Sequence, residues 1–320
     1  MRSPLSLLIA VAACAALLAT SCRRDRSSVD ATAVDVVPLY SLVSDYPAAS
    51  DSLREAVLEM PEMKAFMSTI TYKPLTDSLV EAWAESRPVT VFTPAVDSVF
   101  ADTDYVARSL GRILARADAQ GLELPRRRYA TVVYGRRESM LFVDSVLLVA
   151  LNHYLGADYP GYAGMPEFLR RVKTPEALPY DLAEALVATA YPYEADGSDA
   201  TLLSRMLYEG ALIHARRVLT GGTAEGALGY DKEQLKWLDD NEDAIRESLV
   251  VDRLLYDTSE TLIDRMMAPS PAVRVVRPEA PGRVGRYLGY RMIERYLAKH
   301  PDTSIATLLS PDFYTSSQAL

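Results

Sequence analysis

Cys22 is the residue of this chain whose neighbours specify its chemistry most closely. It follows Ala19-Thr20-Ser21, small side chains that a lipoprotein signal peptidase accommodates, and precedes the charged run Arg23-Arg24-Asp25-Arg26. Upstream, Arg2 leads into an uncharged apolar stretch over residues 5–18. That is the length of a signal-peptide core and short of the roughly 20 apolar residues that span a bilayer. The expected chemistry is thioether formation between the Cys22 thiol and a diacylglycerol, cleavage after Ser21, and acylation of the freed amine, with palmitate among the acyl groups. Each buried methylene adds about 0.8 kcal/mol, so several chains anchor stably where one is marginal. Cys14, after Val11-Ala12-Ala13, has a similar approach, but its use would leave an apolar core too short to insert. There are two cysteines in all. A mature chain starting at Cys22 keeps one, acylated, so no disulfide forms and the fold rests on its hydrophobic core.

Other chemistry is sparse. The three histidines, His153, His214 and His300, include no pair at the i, i+4 spacing that puts two imidazoles on one helix face for zinc. No Gly-x-Ser-x-Gly elbow and no Walker-type phosphate loop is present. Gly285 and Gly289 fall four apart in a helical segment, where they let another helix approach closely. One arrangement invites comparison with zinc peptidases, in which strands precede a helix carrying His-Glu-x-x-His and a second helix supplies a Glu ligand. Here Glu184 and Glu209 occupy successive helical segments behind a strand block. The residues around the first read Ala183-Glu184-Ala185-Leu186-Val187, with Ala and Val where both histidines would stand. One carboxylate cannot hold zinc usefully, because catalytic sites need three protein ligands. No metal, cofactor or catalytic residue is therefore expected. Glu209 is expected to be buried and paired with Arg283 or Arg286, since an unpaired buried carboxylate is costly, and Glu209→Ala should destabilise the fold. A ligand- or glycan-binding reading would use the loop tyrosines Tyr159, Tyr162, Tyr191 and Tyr193.

The elements that must position these residues are mostly helical. Apolar periodicity marks helices over 52–70 with a break at Pro61, then 75–86, 97–119, 166–171, 178–191, 199–220, 231–241, 242–251, 259–267, 284–299 and 305–309. Three β-rich runs cover 129–134, 139–143 and 146–151, with a turn at 135–138. The fold class is α+β, mostly α-helical with a small sheet near 128–151, and a degenerate zincin-like scaffold is an expectation. No fixed-period repeat argues for a solenoid.

Net charge is −9, and removing residues 1–21 takes away Arg2, leaving about −10. Acidic balance without clustered Lys and Arg excludes nucleic acid as a natural partner. No second segment is long enough to span a membrane. The organisation read from this is a signal peptide over 1–21, a polar tether over 22–36 and one domain over 37–320. Arg23 after the acylated cysteine, where Asp would favour inner-membrane retention, points to the outer membrane facing the periplasm.

Four stretches resemble a known family. They are Val149-Ala150-Leu151-Asn152-His153-Tyr154-Leu155-Gly156 with Asp158-Tyr159-Pro160; Met206-Leu207-Tyr208-Glu209-Gly210; Leu228-Gly229-Tyr230 continuing through Gln234-Leu235-Lys236-Trp237 to Asn241-Glu242; and Ala280-Pro281-Gly282-Arg283-Val284-Gly285-Arg286-Tyr287-Leu288-Gly289-Tyr290. In this order they resemble the gliding motility-associated lipoprotein GldB family, over most of residues 95–312. The resemblance implies a cell-envelope lipoprotein without assigned catalytic residues. Its partners would be the membrane, through the anchor, and envelope proteins of motility or secretion machinery. It also implies a distant similarity to zinc peptidases. A metallopeptidase-like hydrolase is the alternative.

Overall fold

The computed structural model describes residues 34–316. Cys14, Cys22, the expected signal segment and most of the expected tether lie outside the described residues. The first elements are β1 (Val36–Val37), α1 (Leu39–Ser44), α2 (Asp51–Glu59), α3 (Pro61–Ile70), α4 (Asp77–Ala84), α5 (Arg87–Val99) and α6 (Tyr105–Ala119). Strands β2 (Arg128–Val132), β3 (Met140–Val143) and β4 (Val146–Ala150) follow. The remainder is helical: α7 (Glu167–Arg170), α8 (Leu178–Ala190), α9 (Leu202–Thr220), α10 (Ala224–Leu228), α11 (Lys232–Val251), α12 (Glu260–Met267), α13 (Val284–Lys299), α14 (Ile305–Leu308) and α15 (Pro311–Tyr314).

The sheet has four strands in the order β1-β2-β4-β3. All five residues of β4, Val-Leu-Leu-Val-Ala, are buried. Successive strand side chains point to opposite faces, and both faces here are covered. Leu147 and Val149 join one apolar cluster, while Val146, Leu148 and Ala150 join a second. Strand β2 divides the same way, Tyr129 to the first and Ala130 and Val132 to the second. Helices α1 to α4 supply Leu39, Val57, Phe66 and Val80 to the second cluster. Helices α6, α8, α9 and α13 supply Leu110, Leu182, Leu207 and Ile293 to the first. The sheet is thus a middle layer, and a continuous apolar run forms its central strand.

Strand pairing does not follow chain order. Residues 135–138 do not turn β2 back onto β3. Strand β2 pairs in parallel with β4, from Arg128 opposite Val146 to Val132 opposite Ala150. Strand β3 pairs antiparallel with β4 through a tight turn at Asp144, whose φ is 50°. Segment 133–139 is a crossover, because the most apolar strand must take the position buried on both faces. Strand β1 pairs in parallel with β2, so Val36, placed at the end of the tether, already belongs to the sheet.

Two helix boundaries also differ. The expected helix over 97–119 is split: α5 ends at Val99 and α6 begins at Tyr105. Between them the Asp102 side chain accepts from the Asp104 N–H. Helix α5 carries Pro94 in its interior, ordinarily a helix breaker, so local propensity does not announce it. The two expected helices over 231–251 are one, α11, opened by a capping box between Asp231 and Gln234. Asn241-Glu242 looked like a break, yet Glu242 is buried and ion-paired to Arg291 and Arg295 of α13.

Helices α9 and α13 approach until their backbones touch. A Cβ built on Gly289 would lie 1.8 Å from the Met206 carbonyl oxygen, and one on Gly210 would lie 2.2 Å from the Gly289 carbonyl carbon. Two glycines facing each other bring the backbones into direct contact. Gly285, one turn earlier, faces the flexible end of Met267 of α12 instead.

Candidate functional site

The close approach of α9 and α13, with α8 alongside, gathers a set of buried and half-buried charges. Asp181 and Glu184 come from α8, Arg205, Glu209 and Arg216 from α9, and Arg286 from α13. The groups alternate in sign. Arg216 donates through Nη2 to Asp181 Oδ1 at 3.3 Å and through Nη1 to Glu184 Oε2 at 2.6 Å. Arg286 Nη2 donates to the same Glu184 oxygen at 2.8 Å. Arg286 Nε faces Glu209 Oε2 at 2.9 Å, off the N–H axis and therefore as an ion pair. Glu209 Oε1 accepts from Arg205 Nε at 3.0 Å. Tyr154 Oη closes the other end by donating to Asp181 Oδ2 at 2.9 Å.

Burial alone would raise the Glu184 carboxyl, but the Arg286 and Arg216 guanidiniums overcome it and hold the group down to about 2. Asp181 shifts the other way. Its burial outweighs Arg216, and the neighbouring Glu184 adds to the rise. Glu184 is therefore the firmly ionised centre of the ladder, with two guanidiniums on one oxygen. That is a structural clamp between three helices, since removing either partner would leave a buried charge uncompensated. Ala183 and Val187, which flank Glu184 where a zinc site would need histidines, are fully buried in the apolar cluster. Among the described residues, no group of three or more His, Cys, Asp or Glu is placed to hold a metal ion.

The expected pairing of Glu209 is formed with Arg286, not with Arg283. Arg283 precedes α13 with a φ of 65°, and this backbone turn places its side chain away from Glu209, against Gly229. Sequence reasoning missed Asp181, Arg205 and Arg216. The i, i+4 spacing of Arg205 and Glu209 was a usable signal. Nothing local couples Arg216 to α8, which is 32 residues away at Glu184.

The histidines are all engaged. His214 Nδ1 lies 2.8 Å from Glu294, and His300 stacks near Tyr296. His153 sits between the Arg136 carbonyl, 3.0 Å from Nε2, and the Lys173 ammonium, 3.1 Å from Nδ1. A carbonyl can only accept and an ammonium only donate, so the ring is neutral with its proton on Nε2. Burial, then Lys173, pushes the ring down to about 4 from 6.5. The unfolded chain therefore takes up a proton below pH 6.5 that the fold refuses until about pH 4. Stability is expected to fall by about 3 kcal/mol as pH drops through that window. Urea unfolding of the native chain and of His153→Gln at pH 7 and pH 4.5 checks this, since the variant should lose most of the difference.

The four tyrosines do not form one platform. Tyr162 is buried, donating to the Asn152 carbonyl at 2.6 Å, and packs edge-on to Tyr159. Tyr193 stacks on Tyr314, while the Tyr191 hydroxyl accepts from the Glu123 N–H.

Among the described residues, no helix is long and apolar enough to cross a membrane. No match appears among curated proteins or among solved structures. A family profile described as gliding motility protein GldB matches residues 22–316, which takes in the sheet, the three-helix ladder and the α9–α13 contact, and the chain belongs to that lipoprotein family.

Proposed function

We propose that this protein is a non-catalytic lipoprotein of the cell envelope, held on the outer membrane by acyl groups on Cys22 and acting through protein contacts in motility or secretion machinery. Family membership supports the motility association. The observation that carries the non-catalytic reading is the state of Glu184. In a peptidase of this layout that carboxylate would face a metal-bound water. Here both of its nearest polar neighbours are guanidiniums, at 2.6 and 2.8 Å. A carboxylate so paired is a poor general base, because its proton affinity is far below neutral pH. Crosslinking and affinity recovery of the tagged full chain from membranes is the test. Reproducible recovery of motility or secretion proteins is the expected result, and their absence would count against the scaffold role. Metal analysis of the purified chain is expected to show no stoichiometric zinc, and one equivalent of zinc would restore the hydrolase reading.

A further inference from the structure

Beside the charge ladder, Arg283 is left over. Arg216 and Arg286 each meet two carboxylates, and Arg171 meets Asp231 at 2.6 Å and Glu167 at 3.5 Å. Among the described residues, none forms an ion pair or a side-chain hydrogen bond with Arg283. Protein atoms crowd its guanidinium without sealing its nitrogens from solvent. The residue keeps partial access to solvent, through a cleft of about 20 Å³ that it lines with Arg171, Tyr230, Gln234 and Ser270. The walls are set firmly. The Tyr230 hydroxyl donates to the Gly282 carbonyl at 2.8 Å, and a Cβ on Gly282 would collide with the Ser270 backbone at 2.3 Å.

Such a cation is unfavourable for the fold alone. Burial, then the neighbouring Arg286, lowers the Arg283 guanidinium, with Tyr230 and Glu184 acting in the opposite direction, and a partly desolvated charge without a direct partner is costly. Its left-handed backbone, φ 65°, is also one that a non-glycine residue adopts only at a cost. A bound anion supplies what the protein lacks.

We propose that the Arg283 cleft binds one carboxylate group, held on the guanidinium at the start of α13. Three observations select a carboxylate over a larger or more highly charged anion. One cation without a direct ion-pair partner matches one negative charge. A planar guanidinium presents a fork that fits two carboxylate oxygens. The cleft has room for one or two water-sized groups, at roughly 10–15 Å³ each. Asp231, beside the cleft on Arg171, adds a negative charge that a doubly charged phosphate would feel more strongly. The site stands independently of the scaffold role, since a free carboxylate or one borne by a partner chain would use the same guanidinium.

The test is thermal unfolding of the full detergent-solubilised chain in rising acetate, with chloride exchanged to keep ionic strength constant and phosphate in parallel. Acetate is expected to raise Tm, and phosphate to raise it less. In Arg283→Gln the apparent acetate affinity should fall about tenfold or more, the change expected when hydrogen bonds to a charged group are removed. That variant's Tm without acetate should match or exceed the native value, because a crowded charge without a direct partner is gone. Arg283→Lys, which keeps the charge but not the fork, guards against a folding defect and should weaken acetate several-fold. A peptide with a free C-terminal carboxylate and its amide, compared in the same assay, separate a chain terminus from a free acid as the source. No acetate response, an equal response in Arg283→Gln, or a stronger phosphate response would each overturn the proposal.

Discussion

Gly289→Ala is expected to be the most damaging single-methyl change in the protein, lowering stability by about 3 kcal/mol or more. The added Cβ would stand 1.8 Å from the Met206 carbonyl oxygen and 2.6 Å from its carbon. Both are backbone atoms of α9, so no rotamer change relieves the overlap and the two helices must separate. Separation would also pull Arg286 from Glu209, which lie 2.9 Å apart across the same interface. Gly285→Ala is the control. Its new methyl would meet Met267 Cε at 2.8 Å, a flexible end that can move, and a cost of about 1 kcal/mol is expected. Urea unfolding followed by far-ultraviolet circular dichroism measures both. A Gly289→Ala chain as stable as Gly285→Ala would show that the α9–α13 contact does not constrain the fold.

The second large effect is expected from Arg286→Ala, at about 3–5 kcal/mol, the range for removing one partner of a buried ion pair. This arginine touches both Glu184 and Glu209. Without it each carboxylate keeps a single guanidinium, Arg216 for Glu184 and Arg205 for Glu209. Glu209→Ala should cost less, because it leaves Arg286 on Glu184. The double variant Glu209→Ala/Arg286→Ala should cost less than the sum of the singles, since it removes both ends of one pair. Additive losses would mean that the two side chains do not interact. Acid should weaken the ladder as well: Glu184, ionised down to about pH 2, contributes stability that is complete above its unfolded value near 4.5 and lost as pH falls toward 2.

Much of this architecture follows from local pattern. The last long helix, α13, begins and ends where periodicity over 284–299 places it, because apolar spacing and the glycine before it are local signals. The capping box at Thr201 and Gly221 in the left-handed conformation close α9 by interactions within a few residues. The three β-rich runs are strands for the same reason. Their order is a different matter. That β2 lies parallel to β4, with β3 on the far side, is decided by which strand is apolar on both faces and by the helices that cover it. Helix α5 formed despite Pro94 because Val89 and Val96 are buried against the remainder of the fold. Propensity yields to packing there.

The same division runs through the candidate site. Glu184 and Glu209 stand out in the sequence as carboxylates in apolar helices, and Gly289 as a place for close approach. Their partners do not, because ion pairs across helices join residues up to 102 positions apart. A carboxylate's neighbours at that separation depend on the angle and distance at which helices cross, which the facing pair Gly210 and Gly289 sets. The fate of Arg283 shows this most plainly. Proximity in sequence to Arg286 makes it an equal candidate for Glu209, yet from its left-handed backbone the guanidinium reaches Gly229 and forms no ion pair with Glu209. Local chemistry thus named the charged residues and the helices that carry them, while only the packing of α8, α9 and α13 determined which charges are satisfied and which one is left for a ligand.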